Sequence, residues 1–403
     1  RRVNLPERID DYLDAAFTAA ASGRPGPVAL LLPADLLRET MDGIPSGRRA
    51  NLGRWPLDRM RPADGVIEQA AQWLAGAQAP VVLAGGGVHA SGAAAMLAQL
   101  QETACVPVAT TNMGKGAVDE HHALSLGVLG ALTGPRALGH QTKAFIENAD
   151  LVVLVGTRTN QNGTDSWRQI PPTARVIHID IDPAEIGRTY EALRLAGDAA
   201  ETLAALCRVL ETIDLTHRRS ERRRLELRIA ECWQRFEAAR ADVWNAATSP
   251  LRPERIMREL QPWLSHGLTV VADASYSSMW VAGQLRAGPE RGRFITPRGL
   301  AGLGWGLPLA IGARLADPHR PVVALVGDGG FAHSWAELET MVRLDIPVVT
   351  IVLNNGILGY QRDAETVKFG SCISACHFSP VDHTQIARAC GCQAVRVADP
   401  NDL

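Results

Sequence analysis

Seven short apolar runs punctuate the chain, at residues 80–84, 106–110, 151–155, 176–180, 268–272, 322–326 and 348–353. Each is too short for a stable isolated helix and too uniformly apolar for a strand with one wet face. Stretches of helical periodicity separate them. Strands buried on both faces and alternating with helices build parallel sheets covered by helices on either side. The runs fall into two sets, so the expected fold is α/β, with two doubly wound parallel-sheet domains. No repeat of 20 to 50 residues is visible, which excludes a solenoid.

The first 45 residues read as the tail of a third domain. Ile9, Leu13, Phe17 and Ala20 are spaced for a helix over 6–22. Gly23-Arg24-Pro25-Gly26-Pro27 stops it, and 28–32 is a short apolar strand. One helix and one strand cannot bury a core, so the body of that domain is expected to precede Arg1. Residues 38–62, rich in Gly, Pro, Arg and Asp, read as a linker. The expected organisation is a tail over 1–45, a central α/β domain over 60–212, a charged connector helix over 213–249, and a second α/β domain over 250–403. The basic run at 218–224 reads as a solvated helix face.

Composition excludes several function classes. With 41 basic and 43 acidic residues the net charge is −2, which argues against nucleic acid or an anionic membrane as partner. No apolar run reaches the roughly 18 residues that span a bilayer, and the N-terminus does not resemble a signal peptide. The seven cysteines are odd in number and irregularly spaced, which speaks against a disulfide framework and for a reducing cytoplasm. Cys372, Cys376, His377, His383, Cys390 and Cys392 do not match the usual zinc spacings, so free thiols are expected there.

Two polar clusters lie just past buried-strand patterns: Gly327-Asp328-Gly329-Gly330 and Asn354-Asn355-Gly356. A strand, a helix and a returning strand between them form a crossover with both strands parallel. Both clusters then lie at carboxyl strand ends, where open α/β sheets bind ligands. Asp328 offers a carboxylate and Asn355 an amide oxygen, hard donors suited to Mg²⁺ or Ca²⁺. Mg²⁺ takes few protein carboxylates and fills its octahedron with phosphate oxygens and water. Gly329 and Gly330 let backbone N–H groups approach an anion. The combination reads as a metal-bridged diphosphate site.

These residues resemble the thiamin-diphosphate motif, and the resemblance covers nearly the whole chain. Residues 24–35 resemble the end of the pyrimidine-binding domain of acetolactate synthase-like enzymes. Residues 80–87 and 178–187 resemble their central domain, and 299–308 the stretch that holds the aminopyrimidine. The resemblance implies thiamin diphosphate and Mg²⁺ as cofactors. Asp328, the Asn355 side chain and the backbone oxygen of Ile357 would bind the metal. Gly327, Gly329, Gly330, Ser277, Ser278, Gly302 and Leu358 would contact the cofactor, and Leu303 would be the apolar wedge under the thiazolium. The implied activity is decarboxylation of a pyruvate-like 2-oxo acid and ligation of the enamine to a second carbonyl. A simple decarboxylase or an aldehyde lyase is the alternative within the family, and a non-catalytic nucleotide-binding module the alternative outside it. The family's catalytic Glu would lie before Arg1, and its active sites lie between subunits, which implies a homodimer or homotetramer.

The sequence departs from the branched-chain enzymes after the Asn pair. Tyr360 and Gln361 stand where those have apolar wall, and Ala364 where they have Trp. A polar substrate pocket is expected there. In the central domain, Gly85 to Gly87, Arg158 and Asp182 suit a dinucleotide. The segment from Leu129-Gly130 to Asp150 is longer than the flavin-binding version. FAD, ADP and a plain tight turn all remain open.

Overall fold

The computed structural model describes residues 1–40, 52, 54–288 and 292–403. Strands β1 (Pro80–Ala84), β2 (Val108–Thr110), β3 (Ser125–Val128), β4 (Leu151–Val155), β5 (Arg175–Asp180) and β6 (Leu193–Ala196) form one parallel sheet in the order β3-β2-β1-β4-β5-β6. Strands β7 (Thr269–Ala272), β8 (Arg293–Ile295), β9 (Val322–Gly327) and β10 (Val349–Leu353) form a second, in the order β10-β9-β7-β8. Every pairing within both sheets is parallel. The two-sheet α/β expectation holds.

Alternation along the strands builds the core on both faces. Val82 and Ala84 pack with the helices Asp64–Gly76, Ala94–Thr103 and Ala199–Leu210. Val81 and Leu83 point the other way, toward Leu138–Glu147 and Thr216–Trp244. In the second sheet Val270 and Leu325 meet Pro253–Leu260 and Tyr276–Gln284, while Val271 and Ala324 meet Gly306–Ala316 and Glu337–Arg343.

Three strands escaped the sequence pattern, and all three are sheet edges. β3, β6 and β8 are short, and each carries Gly or Arg among its apolar residues. An edge strand pairs on one side only and needs less apolar surface. The expected strand at 28–32 is reduced to a single bridge between Leu31 and Arg2. The linker expected over 38–62 lies partly outside the described residues.

The helix Thr216–Trp244 corrects the connector expectation. Ile229, Cys232, Trp233 and Phe236 are buried against the first sheet, so the helix covers one of its faces. Within the basic run, Arg218 is buried and donates to the carbonyl oxygens of Ala104 and Cys105. Arg222 pairs with Glu102 and Glu226.

A buried ion pair ties the two halves. Lys115 and Glu120, each 2% exposed, meet at 2.9 Å. Lys115 also donates to the Leu285 carbonyl at 2.7 Å, and the Ala287 N–H donates to Glu120 at 2.8 Å. The segment after the first sheet's β2 is thereby fastened to the helix that follows β7. Glu120→Ala strands a buried ammonium, and unfolding in urea should show a loss of about 3–5 kcal/mol. The paired change Lys115→Met with Glu120→Leu should recover most of it.

Candidate cofactor and metal site

The second sheet reverses its winding between β7 and β9. The chain runs from β7 outward to β8, then returns to the other side of β7 for β9 and β10. The crevice past the carboxyl ends of those two neighbours is where ligands bind in such sheets. β7 ends on Asp273 and β9 leads into Asp328, and both side chains are buried.

Asp328 joins the two polar clusters. Its Oδ1 accepts from the Gly329 N–H at 2.9 Å and its Oδ2 from the Gly356 N–H at 2.6 Å. The second bond reaches from the end of β9 to the turn after β10, so Asn355 and Ile357 flank the carboxylate's partner. Asn355 is exposed, and its Oδ1 accepts from the Ile357 N–H at 3.2 Å. One lone pair of that oxygen is engaged and a second remains for a cation. Residues 357–358 are held by the stretch 376–378: the Leu358 N–H donates to the Cys376 carbonyl at 2.8 Å, and the Phe378 N–H to Gly356 at 2.9 Å.

The glycines are needed where loops touch. A Cβ on Gly330 would stand 2.0 Å from Asp273 Oδ2, and one on Gly329 would stand 2.7 Å from Leu358 and 2.8 Å from Phe378. Gly304, at φ +85°, would collide with His333. Gly302 is looser: its nearest neighbour would be Trp305 Nε1 at 3.0 Å.

Asp273 fixes the glycine-rich loop. It accepts from the N–H groups of Ala274 (2.9 Å), Gly304 (2.9 Å), Trp305 (3.2 Å) and Gly306 (3.3 Å). Leu303, half-buried, is thus carried on a segment locked to the end of β7. The signal for Asp273 in the sequence is its place at a strand end, ahead of a glycine-rich stretch.

Ser277 and Ser278 are buried in the first turn of Tyr276–Gln284. Ser277 Oγ lies 3.9 Å from the position a Cβ on Gly327 would take, so it faces the Asp328 loop. Ser278 is engaged locally, donating to the Ser275 carbonyl at 2.9 Å. Ser275 itself stands at φ 71°, ψ −147°, a conformation that costs an L-residue about 1–3 kcal/mol and recurs at functional sites.

The structure separates Tyr360 from Gln361. Tyr360 packs edge-on against Tyr276 with ring centroids 5.6 Å apart. Tyr276 donates to Asp363 at 2.5 Å, and burial followed by that acceptor pushes its hydroxyl up to about 12. Gln361 is exposed and donates along its helix to Glu365 at 2.7 Å. Gln361 therefore makes no hydrogen bond toward the crevice.

In the first sheet the reversal lies between β1 and β4, and backbone contact accounts for its glycines. A Cβ on Gly85 would stand 2.4 Å from the Gly156 carbonyl oxygen, and one on Gly87 2.6 Å from Gly156 Cα. Asp182 is paired with Arg24 at 2.8 Å.

The donors gathered at Asp328 suit a hard, oxygen-seeking cation. One buried carboxylate, one amide oxygen and a backbone carbonyl would leave half of an octahedron to phosphate and water, which suits Mg²⁺. The residues fit a metal-bridged diphosphate.

Comparison with known proteins agrees. Residues 67–206 match the family described as thiamine pyrophosphate enzyme, central domain. Residues 273–403 match thiamine pyrophosphate enzyme, C-terminal TPP binding domain. The chain belongs to the thiamine pyrophosphate enzymes. It is similar, at 33% identity over all of its length and 67% of the relative's, to a probable acetolactate synthase large subunit of Methanocaldococcus jannaschii. The large subunit of acetolactate synthase isozyme 3 of Escherichia coli K12 is 30% identical over all of this chain and 68% of the relative. Glyoxylate carboligase of Escherichia coli O157:H7 is 31% identical over 98% of this chain and 66% of its own length. The chain spans about two-thirds of the length of these relatives.

Asp273→Asn tests the loop lock. It puts an amide donor against backbone donors while preserving shape. Urea unfolding should show a loss of about 1–3 kcal/mol, and fluorescence titration should show thiamin diphosphate binding weakened by about tenfold or more.

Proposed function

We propose that the protein decarboxylates a pyruvate-like 2-oxo acid and joins the remaining fragment to a second carbonyl compound, as an acetolactate synthase-like carboligase. The observation that carries this reading is the Asp328–Gly356 bond at 2.6 Å, which joins the hard-oxygen donors at the ends of β9 and β10, beside the switch point of a parallel sheet. Thiamin diphosphate, when bound, supplies the nucleophilic carbon and the electron sink that this chemistry needs.

The chain's own residues position and shield. Asp328, the Asn355 amide oxygen and the Ile357 carbonyl hold Mg²⁺. Gly330 and Ser277 would present backbone and hydroxyl donors to the diphosphate, Gly327 and Gly329 would let it approach closely, and Ser278 and Leu358 brace the turns that carry them. Gly302 and Leu303 sit on the loop locked by Asp273, and Leu303 would give the cofactor apolar support. Holding the reacting groups in one geometry removes much of the entropic barrier. Tyr360 presents a phenol at the rim, so the second-substrate side is more polar than an all-aliphatic wall. Assembly as a homodimer or homotetramer is part of this proposal.

Two measurements test it. Asp328→Ala should weaken Mg²⁺-dependent thiamin diphosphate binding by more than about a hundredfold; unchanged affinity removes the metal assignment. Proton NMR of the products after incubation of the native-length protein with thiamin diphosphate, Mg²⁺ and pyruvate should show acetolactate. Acetaldehyde as the sole product would make the protein a simple decarboxylase instead.

A further inference from the structure

Among the described residues three arginines are buried: Arg218, Arg240 and Arg298. The first two are served by the fold. Arg218 donates to four carbonyl oxygens, those of Ala77, Gln78, Ala104 and Cys105. Arg240 pairs with Glu237, donates to Gln284 and lies 3.7 Å over the Trp244 ring. Arg298 is different. It is 9% exposed, its Nε is shut away from solvent without a partner, and no described carboxylate pairs with it. A guanidinium taken out of water without an anion is expensive, so a fold keeps one only where something else supplies the anion.

Its place says where that anion comes from. Arg298 follows β8 and immediately precedes the Gly299–Gly306 loop, at the same carboxyl edge as Asp273 and Asp328. Thr296, two residues earlier, also has a buried hydroxyl without a partner. Tyr360 arrives from beyond β10 on the opposite side of the sheet. The position of Arg298 just past β8 puts it at the rim of the crevice over the strand ends. Arg158, from the end of β4 in the other sheet, brings its Nη2 to 3.9 Å from where a Cβ on Gly299 would stand. The diphosphate has its own place beside β9, two strands away from β8, or about 10 Å. Arg298 is thus set apart from the phosphate site.

We propose that Arg298 binds the carboxylate of the 2-oxo acid substrate, with the Thr296 hydroxyl as a second donor, and so determines specificity for acids over neutral carbonyl compounds. The planar guanidinium fork matches two carboxylate oxygens, which a lysine cannot do. The inference rests on the carboligase reading for the identity of the substrate, but the anion site itself does not.

The test compares wild type with Arg298→Met and Arg298→Lys. Without added anion, Arg298→Met should melt at the same temperature as wild type or higher, because it removes an unpaired buried charge. Oxalate should raise the melting temperature of wild type and leave that of Arg298→Met unmoved. In the protein loaded with thiamin diphosphate and Mg²⁺, Arg298→Met should raise KM for pyruvate by about ten- to a hundredfold. It should also erase the preference for pyruvate over its neutral methyl ester, and Arg298→Lys should restore part of it. Arg298→Met melting well below wild type, with pyruvate KM unchanged, would overturn the proposal and make Arg298 a partner of a protein carboxylate. Absence of thiamin diphosphate binding in wild type would remove the carboligase reading alone, since the oxalate shift is read without cofactor.

Discussion

Everything at the crevice depends on one buried carboxylate whose oxygens are taken up by backbone donors. Asp273 sits at the end of β7 and accepts from four backbone N–H groups, three of them belonging to a loop some thirty residues further along. Bonds to an ionised acceptor are about twice as strong as neutral ones, and none of the four donors has to be found by a side chain of variable length. The loop is therefore positioned by backbone geometry alone. The same carboxylate presses against Gly330, so it also sets the approach of the Asp328 turn. One side chain thus registers the two segments that must face each other across a ligand.

The glycines follow from that registration. At 304 and 330 a side chain would collide with His333 or Asp273, and at 85 and 87 with the backbone at Gly156. The two reversal points of this chain use the same device, close backbone approach, and the second sets the Asp328 carboxylate and the Ser277 hydroxyl beside it. Glycine at a strand end is by itself a statement about packing. It becomes a statement about chemistry when oxygen donors converge beside it.

This distinction explains what could be seen in the sequence. Central strands, buried on both faces, must be apolar throughout, and 80–84, 151–155 and 322–326 announced themselves. Edge strands carry no such demand, so β3, β6 and β8 stayed hidden. Asp328 and Asn355 were legible because local spacing fixes their positions at neighbouring strand ends. Tyr360 and Gln361 are adjacent in sequence yet differ in direction, since successive helical residues point about 100° apart. No spacing argument separates them. The helix Thr216–Trp244 misled for a related reason: its many charges suggest solvent, while a sparse row of Ile229, Trp233 and Phe236 suffices to cover a sheet face.

Burial of charge has been solved in two opposite ways in this molecule. Between the halves, Lys115 and Glu120 neutralise each other and saturate their remaining donors and acceptors on Leu285 and Ala287. That arrangement is closed; it has nothing left to offer a ligand, and its effect is to fix how the two sheets meet. At the crevice, Arg298 is left open. An unpaired buried guanidinium lowers the stability of the empty protein, and the same deficit is returned as affinity when an anion arrives. Stability and recognition draw on the same few charged groups, so a chain that satisfied Arg298 internally would be more stable and less selective. The contrast between a saturated pair where rigidity is needed and an unsaturated cation at the strand ends is what marks the second location, rather than the first, as a place for substrate.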